Sequence, residues 1–468
     1  MCEAAKKIEK ILGEESVSFD EEDLETHGFS EWSTSNTAQR PVAVVSPRST
    51  EEVSMIAKIC HEYNVPMIPF GAGSSVEGNF TAPFSGISID ISRMDQVIAL
   101  RENDMDVTVQ AGVNWVTLNE TIEQHGLFLP LDPSPTARIG GMIATNCSGT
   151  NALRYGTMKD WVVNLTVVLA DGSVIKTRRR PRKTSAGYNL NSLFTGSEGT
   201  LGIITEATLK LATIPTHFSV ATAAFPTVRD AAAAASNMIR NGIPLAALEL
   251  MDEVQMKVIN QNGGAGGRTW EEAPTLFLKF SGTSDGVQDN ITRAQAAVNT
   301  HRGSKFQVAT TKEAMKSLWA ARKEALWAML AIRPEGTQIW STDVAVPLSH
   351  LAEIIELSKK ESGRLGLFSS VLGHVGDGNF HQAVMYNPNI PEEKDAVAHC
   401  VDDMMVRALK MDGTVSGEHG IGLGKKACLE KELGVNTINV MRALKRSLDP
   451  RWLMNPGKIF DEEETPAA

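Results

Sequence analysis

The run Gly373-His374-Val375-Gly376-Asp377-Gly378-Asn379-Phe380-His381 sets two imidazoles at the ends of a glycine-rich bend. Its glycines turn the chain between two predicted strands, 367–372 and 380–385, so both rings can face one point. Further on, Ser416-Gly417-Glu418-His419-Gly420-Ile421-Gly422 places a carboxylate and another imidazole in a second glycine-flanked bend. Two histidines and a glutamate form a common donor set for zinc or manganese, and they leave coordination positions for a substrate. No thiolate stands near in sequence, which argues against a purely structural zinc site. One histidine in a glycine-rich loop is ordinarily a hydrogen-bonded surface residue. Asp377 reads as a turn former, since an aspartate side chain readily bonds its own backbone. Gathered in two short bends, His374, His381, Glu418 and His419 read together as a functional site. Arg333, in Arg333-Pro334-Glu335-Gly336-Thr337, offers a planar fork suited to a carboxylate. Taken alone, it reads as a solvent arginine after a predicted helix over 312–332.

A second kind of chemistry is written in glycine and hydroxyl residues. Phe70-Gly71-Ala72-Gly73-Ser74-Ser75-Val76-Glu77-Gly78-Asn79 follows a predicted strand, and tandem small residues let backbone N–H groups converge on an anion such as phosphate. A dinucleotide fingerprint would need glycine where Val76 stands. Gly424-Lys425 fails as a Walker A loop, because His419 occupies the position of the earlier glycine and Lys426 that of the Ser/Thr. Alone, the first loop is equally an ordinary tight turn. Two further stretches raise it above that: Asp132-Pro133-Ser134-Pro135-Thr136-Ala137-Arg138-Ile139-Gly140-Gly141, leading into 144–151, and Gly196-Ser197-Glu198-Gly199-Thr200-Leu201-Gly202-Ile203. Three such stretches suit a long cofactor with many hydrogen bonds.

These stretches resemble the FAD-binding domain of the vanillyl-alcohol-oxidase-type flavoproteins. Their order and wording are most similar to the branch of cytochrome-linked D-lactate dehydrogenases, from about Pro41 to Ile459. The resemblance implies FAD contacts at Pro69, Gly71, Ala72, Gly73, Ser74, Ser75, Gly78 and Asn79. It implies more at Pro133, Ser134, Thr136, Gly140, Gly141, Thr145, Asn146, Ser148, Gly149 and Thr150. The remainder fall at Glu198, Gly199, Gly202 and Ile203, and at Asn455, where the C-terminal segment returns to the flavin. By the same resemblance His374, His381 and Glu418 are ligands of a divalent metal, zinc or manganese, and His419 is the general base. Arg333 holds the substrate carboxylate, with Thr337 a weaker neighbour. The implied reaction is oxidation of D-lactate to pyruvate, with hydride transfer to FAD and cytochrome c as electron acceptor. Relatives acting on D-2-hydroxyglutarate carry a lysine where Ser341 aligns and an asparagine where Ala383 stands, so a singly charged acid fits better here. D-lactate comes first, with glycolate behind it. Two other classes stay open: a non-redox synthase of the alkyl-glycerone-phosphate type, which lacks the metal set, and a metal-binding scaffold without flavin.

The elements that must position these residues are α+β in type. Strands are predicted at 42–45, 66–70, 87–91, 107–111, 164–169 and 174–177, the last two joined by the hairpin turn Ala170-Asp171-Gly172-Ser173. A capping box at Ser49-Thr50-Glu51-Glu52 opens a helix whose Val53, Ile56, Ala57 and Cys60 share one face. Past Pro215, helices at 230–241 and 285–301 alternate with strands at 246–250, 275–280 and 305–309, which predicts an antiparallel sheet covered on one face. Gly263 to Gly267 reads as a flexible, exposed loop. The expected organisation is an FAD-binding domain over 1–214, a second α+β substrate (cap) domain built on an antiparallel sheet and carrying the metal site over 215–435, and a C-terminal segment over 436–468 that returns to the first. The last residues, 461–468, read as disordered.

Whole-chain properties exclude more than they assign. At 468 residues the chain exceeds one ordinary core. A net charge of −11 argues against nucleic acid as a main partner. The basic run Arg178-Arg179-Arg180-Pro181-Arg182-Lys183 reads as a solvated loop. Five scattered cysteines without a C-x-x-C pair suit free thiols. No apolar run reaches the ~20 residues of a membrane-spanning helix. Mitochondrial residence follows from the resemblance, with a presequence expected outside this chain; otherwise the expectation is cytoplasmic.

Overall fold

The computed structural model describes residues 1–462. The expected disorder over 461–468 therefore falls mostly outside the described residues. Two compact units emerge: residues 1–149, 156–214 and the chain from Glu418 onward form the first, and residues 150–155 with 215–417 form the second.

The first unit holds two sheets. β1 (Val17–Ser18), β2 (Ala43–Val45), β3 (Met67–Phe70) and β4 (Ile87–Asp90) lie in the order β1-β2-β4-β3, with β2, β4 and β3 parallel. The helix Thr50–Glu62 makes the crossover, and Val53, Ile56, Ala57 and Cys60 are all fully buried. Its start is the expected cap with one change. Ser49 accepts from the Glu52 N–H (3.2 Å), but the Glu52 carboxylate receives the N–H of Arg48 rather than that of Ser49. The second sheet is antiparallel: β5 (Val97–Arg101), β6 (Asp106–Gln110), β8 (Val162–Val168), β9 (Val174–Lys176) and β10 (Ile203–Lys210), in the order β5-β6-β10-β8-β9. The Asp171-Gly172 turn closes β8 on β9 as predicted. Two short strands, β7 (Leu127–Phe128) and β11 (Ala212–Thr213), pair with each other. The C-terminal segment returns to this unit, and Met454 bridges Met67 on the edge of β3.

The second unit is one antiparallel sheet. Its strands are β12 (His217–Ala224), β13 (Leu245–Met251), β14 (Thr275–Gly282), β15 (Ser304–Ala309), β16 (Gln338–Ser341), β18 (Ser369–His374) and β19 (Asn379–Tyr386), in the order β15-β12-β14-β13-β18-β19-β16. β17 (Val344–Ala345) also pairs with β19. Helices cover both faces, not the single face expected. On one, Gln255 of the helix Glu253–Gln261 bonds Ser370 of β18 and the carbonyl of Ala325. On the other, Gln382 of β19 donates to Ser362 of the helix Leu351–Arg364. The burial of every residue of β13 is the signature of this two-sided cover, as it leaves no polar alternation to read. The predicted helix over 312–332 is interrupted at Glu324 into Lys312–Lys323 and Ala325–Ala331. The glycine run is exposed at Gly263, Gly266 and Gly267, as expected, while Gly264 and Ala265 between them are buried and Trp270 Nε1 donates to the Gly264 carbonyl (2.9 Å).

Candidate active site

The register of the second sheet decides which side chains meet. Leu372 pairs with His381 and His374 with Asn379, so the bend is the four residues Val375–Gly378 and both imidazoles stand on one face of neighbouring strands. Their ring centroids are 5.5 Å apart, at right angles. The Asp377 N–H closes the turn on the His374 carbonyl (2.9 Å). Gly378, at φ 75°, has room for no side chain, since a Cβ there would lie 2.2 Å from the Val346 carbonyl oxygen. Both histidines are buried. Glu418 follows directly on Gly417, the last residue of this unit, and ligand atoms from His374, His381 and Glu418 lie within 4.8 Å of one another.

Each ring is held by its Nδ1. His381 Nδ1 donates to the Thr342 carbonyl (3.0 Å), with Asp343 Oδ1 at 3.8 Å, and a carbonyl can only accept. His374 Nδ1 donates to Glu249 Oε1 (2.9 Å). In both neutral rings the proton is thereby on Nδ1, and ligation falls to Nε2. This donor chemistry fits a divalent cation, for which a ligating histidine ordinarily gives its other N–H to a carboxylate or carbonyl. Burial raises the Glu249 carboxyl's pKa, but His374 and the Arg322 guanidinium, both bonded to it, outweigh burial and hold the group below its usual range. A second buried carboxylate, Asp343, accepts from Asn379 Nδ2 (2.7 Å) and from Ser416 Oγ (3.0 Å). Gly417 passes against that pair, where a Cβ would lie 2.1 Å from Asn379 Nδ2. This close approach delivers the chain to Glu418. Glu249, Arg322, Thr342, Asp343 and Asn379 were not read as site residues from sequence. Asn379, sitting between the two histidines of the bend, was the one visible signal.

The residues expected on the substrate side lie on the same sheet or just before it. Ser341 and Ala383 are direct cross-strand partners, and Ala383 shares the His381 face two residues along β19. The pair is uncharged. Arg333 is exposed in the turn that enters β16 and makes no side-chain hydrogen bond or ion pair among the described residues. Thr337 Oγ1 donates to the Pro334 carbonyl within that same turn (2.7 Å). The basic run folds back on acidic neighbours, with Arg180 bonded to Asp104 (2.5 Å) and Asp106 (2.8 Å), as a plain surface loop would.

In the first unit the glycine stretches divide by what a side chain would meet. At Gly140 a Cβ would lie 2.9 Å from the Ala111 Cβ, and at Gly202 2.7 Å from Val167 Cγ1. At Gly149 it would lie 2.6 Å from Asp132, at Gly199 2.9 Å from Pro69, at Gly78 2.3 Å from the Ser35 carbonyl and at Gly73 3.0 Å from Phe70. These glycines answer to the packing of their own chain. At Gly71 and Gly141 a Cβ would meet nothing within 4 Å, so bare backbone fronts open space. That open, side-chain-free backbone in two of the expected stretches fits a long cofactor.

Other expected contacts are engaged within the protein. Asn79 Nδ2 donates to Glu198 Oε2 (2.6 Å), whose carboxylate also takes the N–H groups of Ile421 (2.7 Å) and Gly422 (2.8 Å). Asn455 Nδ2 reaches the carbonyls of Asn79 and Glu198, and Lys458 Nζ donates to Asn455 Oδ1 and to the Thr81 carbonyl. Asn79, Glu198 and Asn455 thus use their side chains to tie the first loop, the third stretch and the C-terminal segment together. Burial raises the pKa of Glu198, and it pushes the Lys458 ammonium down to about 7 against the pull of Glu198. Asn146, at φ 49°, accepts from Thr157 and from the Lys159 N–H, Thr145 Oγ1 donates to the Gly141 carbonyl, Ser134 and Thr136 bond each other, and Ser148 Oγ donates to Glu418 (2.5 Å). Ala72, Ser75 and Pro133 lie partly exposed and Ser74 exposed in these loops, Pro69 is half-buried in β3, Ile203 opens β10, and Thr150 begins the short excursion into the second unit. His419 Nδ1 stands 3.9 Å from Glu77 Oε1, and Lys425 Nζ reaches the same oxygen at 3.1 Å.

Comparison with known proteins matches residues 214–459 to the C-terminal domain of FAD-linked oxidases and residues 41–178 to an FAD-binding domain. The chain belongs to the FAD-linked oxidases. The mitochondrial D-lactate dehydrogenase [cytochrome] of Kluyveromyces lactis is 46% identical over 98% of this chain and 81% of its own length. The enzyme of the same name from Arabidopsis thaliana is 48% identical, over 96% of this chain and 79% of its own. Among solved structures, 4-ethylphenol oxidase from Gulosibacter chungangensis superposes with a TM-score of 0.82, over 98% of this chain and 97% of its own. Its 18% identity makes that a likeness of fold. The expected architecture holds: an FAD-binding domain of the vanillyl-alcohol-oxidase type and a second α+β domain on an antiparallel sheet. This FAD-linked oxidase is an FAD-dependent oxidoreductase, and no described helix is long and apolar enough to cross a membrane.

Proposed function

We propose that this FAD-linked oxidase converts D-lactate to pyruvate in mitochondria and passes the electrons to cytochrome c, with zinc or manganese held by His374, His381 and Glu418. The observation that carries the reading is the grouping of two Nδ1-anchored imidazoles with a carboxylate, on a sheet face whose neighbouring Ser341–Ala383 pair is neutral. A second carboxylate on the substrate would need a cation at that pair, and neither residue supplies one. The names of relatives 46% and 48% identical support D-lactate, the cytochrome acceptor and the mitochondrion.

A divalent ion in that site would act as a Lewis acid on the substrate hydroxyl, and bound FAD would accept the carbinol hydrogen as hydride. Arg333, whose side chain makes no hydrogen bond or ion pair among the described residues, offers two parallel N–H groups to the substrate carboxylate. His419 takes the hydroxyl proton. Its Nδ1 faces Glu77, so the proton goes to Nε2, and the Glu77 carboxylate favours the imidazolium that results. Backbone at Gly71 and Gly141, with the surrounding hydroxyls of Ser74, Ser75 and Thr145, would hold the cofactor.

The test pairs metal analysis of the purified protein with anaerobic flavin bleaching by D-lactate, glycolate and D-2-hydroxyglutarate. The expected order of kcat/KM puts D-lactate first, with one divalent ion per chain and cytochrome c reduced on mixing. A clear preference for the dicarboxylate overturns the substrate assignment. A preference for glycolate moves it to the neighbouring small acid.

A further inference from the structure

Glu249 is the only charged residue of β13, in the run Leu245-Ala-Ala-Leu-Glu-Leu-Met whose members are all buried. An ionised carboxylate in such a strand is expensive unless both oxygens are satisfied. They are satisfied differently. Oε2 receives the Nε–H of Arg322 at 2.8 Å and forms an ion pair with its Nη2, also at 2.8 Å, from the helix Lys312–Lys323. Oε1 receives His374 Nδ1 at 2.9 Å. The register explains the meeting: Leu250 pairs with Gly373, which sets Glu249 beside His374 on the same face.

The two imidazoles of the proposed metal site are therefore anchored unequally. His381 Nδ1 bonds a neutral carbonyl, with the Asp343 carboxylate beyond hydrogen-bond reach at 3.8 Å, while His374 Nδ1 bonds directly to a carboxylate that is itself bonded to a guanidinium. A carboxylate behind a ligating imidazole fixes the ring's tautomer and plane and makes the distal nitrogen a stronger donor. We infer that Glu249, secured by Arg322, is a positioning residue that sets the metal affinity of His374. Arg322 is thereby assigned to Glu249, leaving recognition of the substrate carboxylate to Arg333.

The inference rests on the metal reading above, and the experiment separates the two. Zinc affinity of the FAD-bound protein is measured by competition with a chelator for wild type, Glu249→Gln and Glu249→Asp. Near-ultraviolet circular dichroism and flavin absorbance report the fold. Gln removes the charge. Asp keeps a charge for Arg322 but withdraws the oxygen from Nδ1. The expected result is folded, yellow variants that bind zinc ~10- to 100-fold more weakly than wild type, the range for losing such a partner. Wild type that binds neither zinc nor manganese sinks the metal site itself. Wild type that binds, with either variant within twofold of it, overturns the role of Glu249 alone. If neither variant folds, Glu249 is a core anchor for the helix and the inference is overturned as well.

Discussion

Gly140 and Gly141 are neighbours in the chain, yet a Cβ on the first would collide with Ala111 and Ile91 while one on the second would meet nothing. In the first unit, then, the candidate cofactor surface is made by where side chains are missing. In the second unit the candidate metal surface is made by side chains that strand register brings together: His374 and His381 on adjacent strands, each pinned at Nδ1 by a different element. The difference bears on what each surface tolerates. A surface of bare backbone is insensitive to charge and sensitive to any added atom. A surface of ligands fails when one donor or its anchor goes.

The comparison breaks most visibly under chelation. Dialysis against a strong chelator is expected to abolish D-lactate oxidation while the flavin absorbance stays, and zinc or manganese is expected to restore it. Loss of the yellow colour along with the metal would mean that the two surfaces do not act separately. Next in size is His419→Ala, which removes the proposed base and leaves the glycine stretches intact. Anaerobic flavin reduction by D-lactate should slow by ~10²- to 10⁴-fold with FAD still bound. An unchanged rate constant would take proton transfer away from His419.

Much of both surfaces was legible in the sequence, for opposite reasons. Candidate ligands and bases are chemistry-bearing residues, and four such residues fell in two short bends, so spacing alone gathered His374, His381, Glu418 and His419. Glycine runs were equally visible, but their purpose was not. Gly140, Gly149, Gly199 and Gly202 look the same in sequence as Gly141, and only the neighbours packed against them distinguish packing from exposure. Glu249 was invisible because its partner His374 lies 125 residues away, and one glutamate in an apolar strand has no periodicity to read. The cover on the second face of the large sheet was missed for a related reason. A strand buried on both sides loses the alternation that announces one buried face. Asn79, Glu198 and Asn455 were placed at the cofactor by resemblance, and their bonds to one another depend on long-range closure that no local pattern encodes.

Ser341 and Ala383 sharpen the account of the second surface. Because they are cross-strand partners beside His381, Ser341→Lys combined with Ala383→Asn should raise kcat/KM for D-2-hydroxyglutarate relative to D-lactate by ~10- to 100-fold, the worth of one charge-assisted hydrogen bond. No shift in that ratio would put the distal end of the substrate elsewhere. The glycine contrast has its own test. Gly140→Ala is expected to cost ~1–3 kcal/mol in chemical denaturation of the apoprotein, the range for overpacking a filled space. Gly141→Ala should leave the apoprotein's midpoint nearly unchanged and loosen FAD on dilution. Equal destabilisation by both would erase the distinction between packing glycines and bare ones.

The smallest expected effect concerns Lys458, which ties the C-terminal segment to Asn455 and Thr81. Burial lowers its pKa to about 7 from the ordinary lysine value of 10.5, with Glu198 opposing the change. A lysine whose folded pKa lies below its unfolded one binds fewer protons folded than unfolded between those two values. Its contribution to stability therefore rises with pH from about 7 towards the unfolded value, and it is lost as pH falls through the folded one. The slope is at most ~1.4 kcal/mol per pH unit for one proton, and Thr81, Asn455 and Pro456, whose oxygens favour the charged head, should flatten it. Lys458→Met removes the group, so the difference in unfolding free energy between variant and wild type should change across pH 7 to 9 and stay constant from pH 5 to 6. A difference constant over the whole range would mean that the lysine keeps its proton throughout, and that the C-terminal tie is a permanent ammonium held by three oxygens.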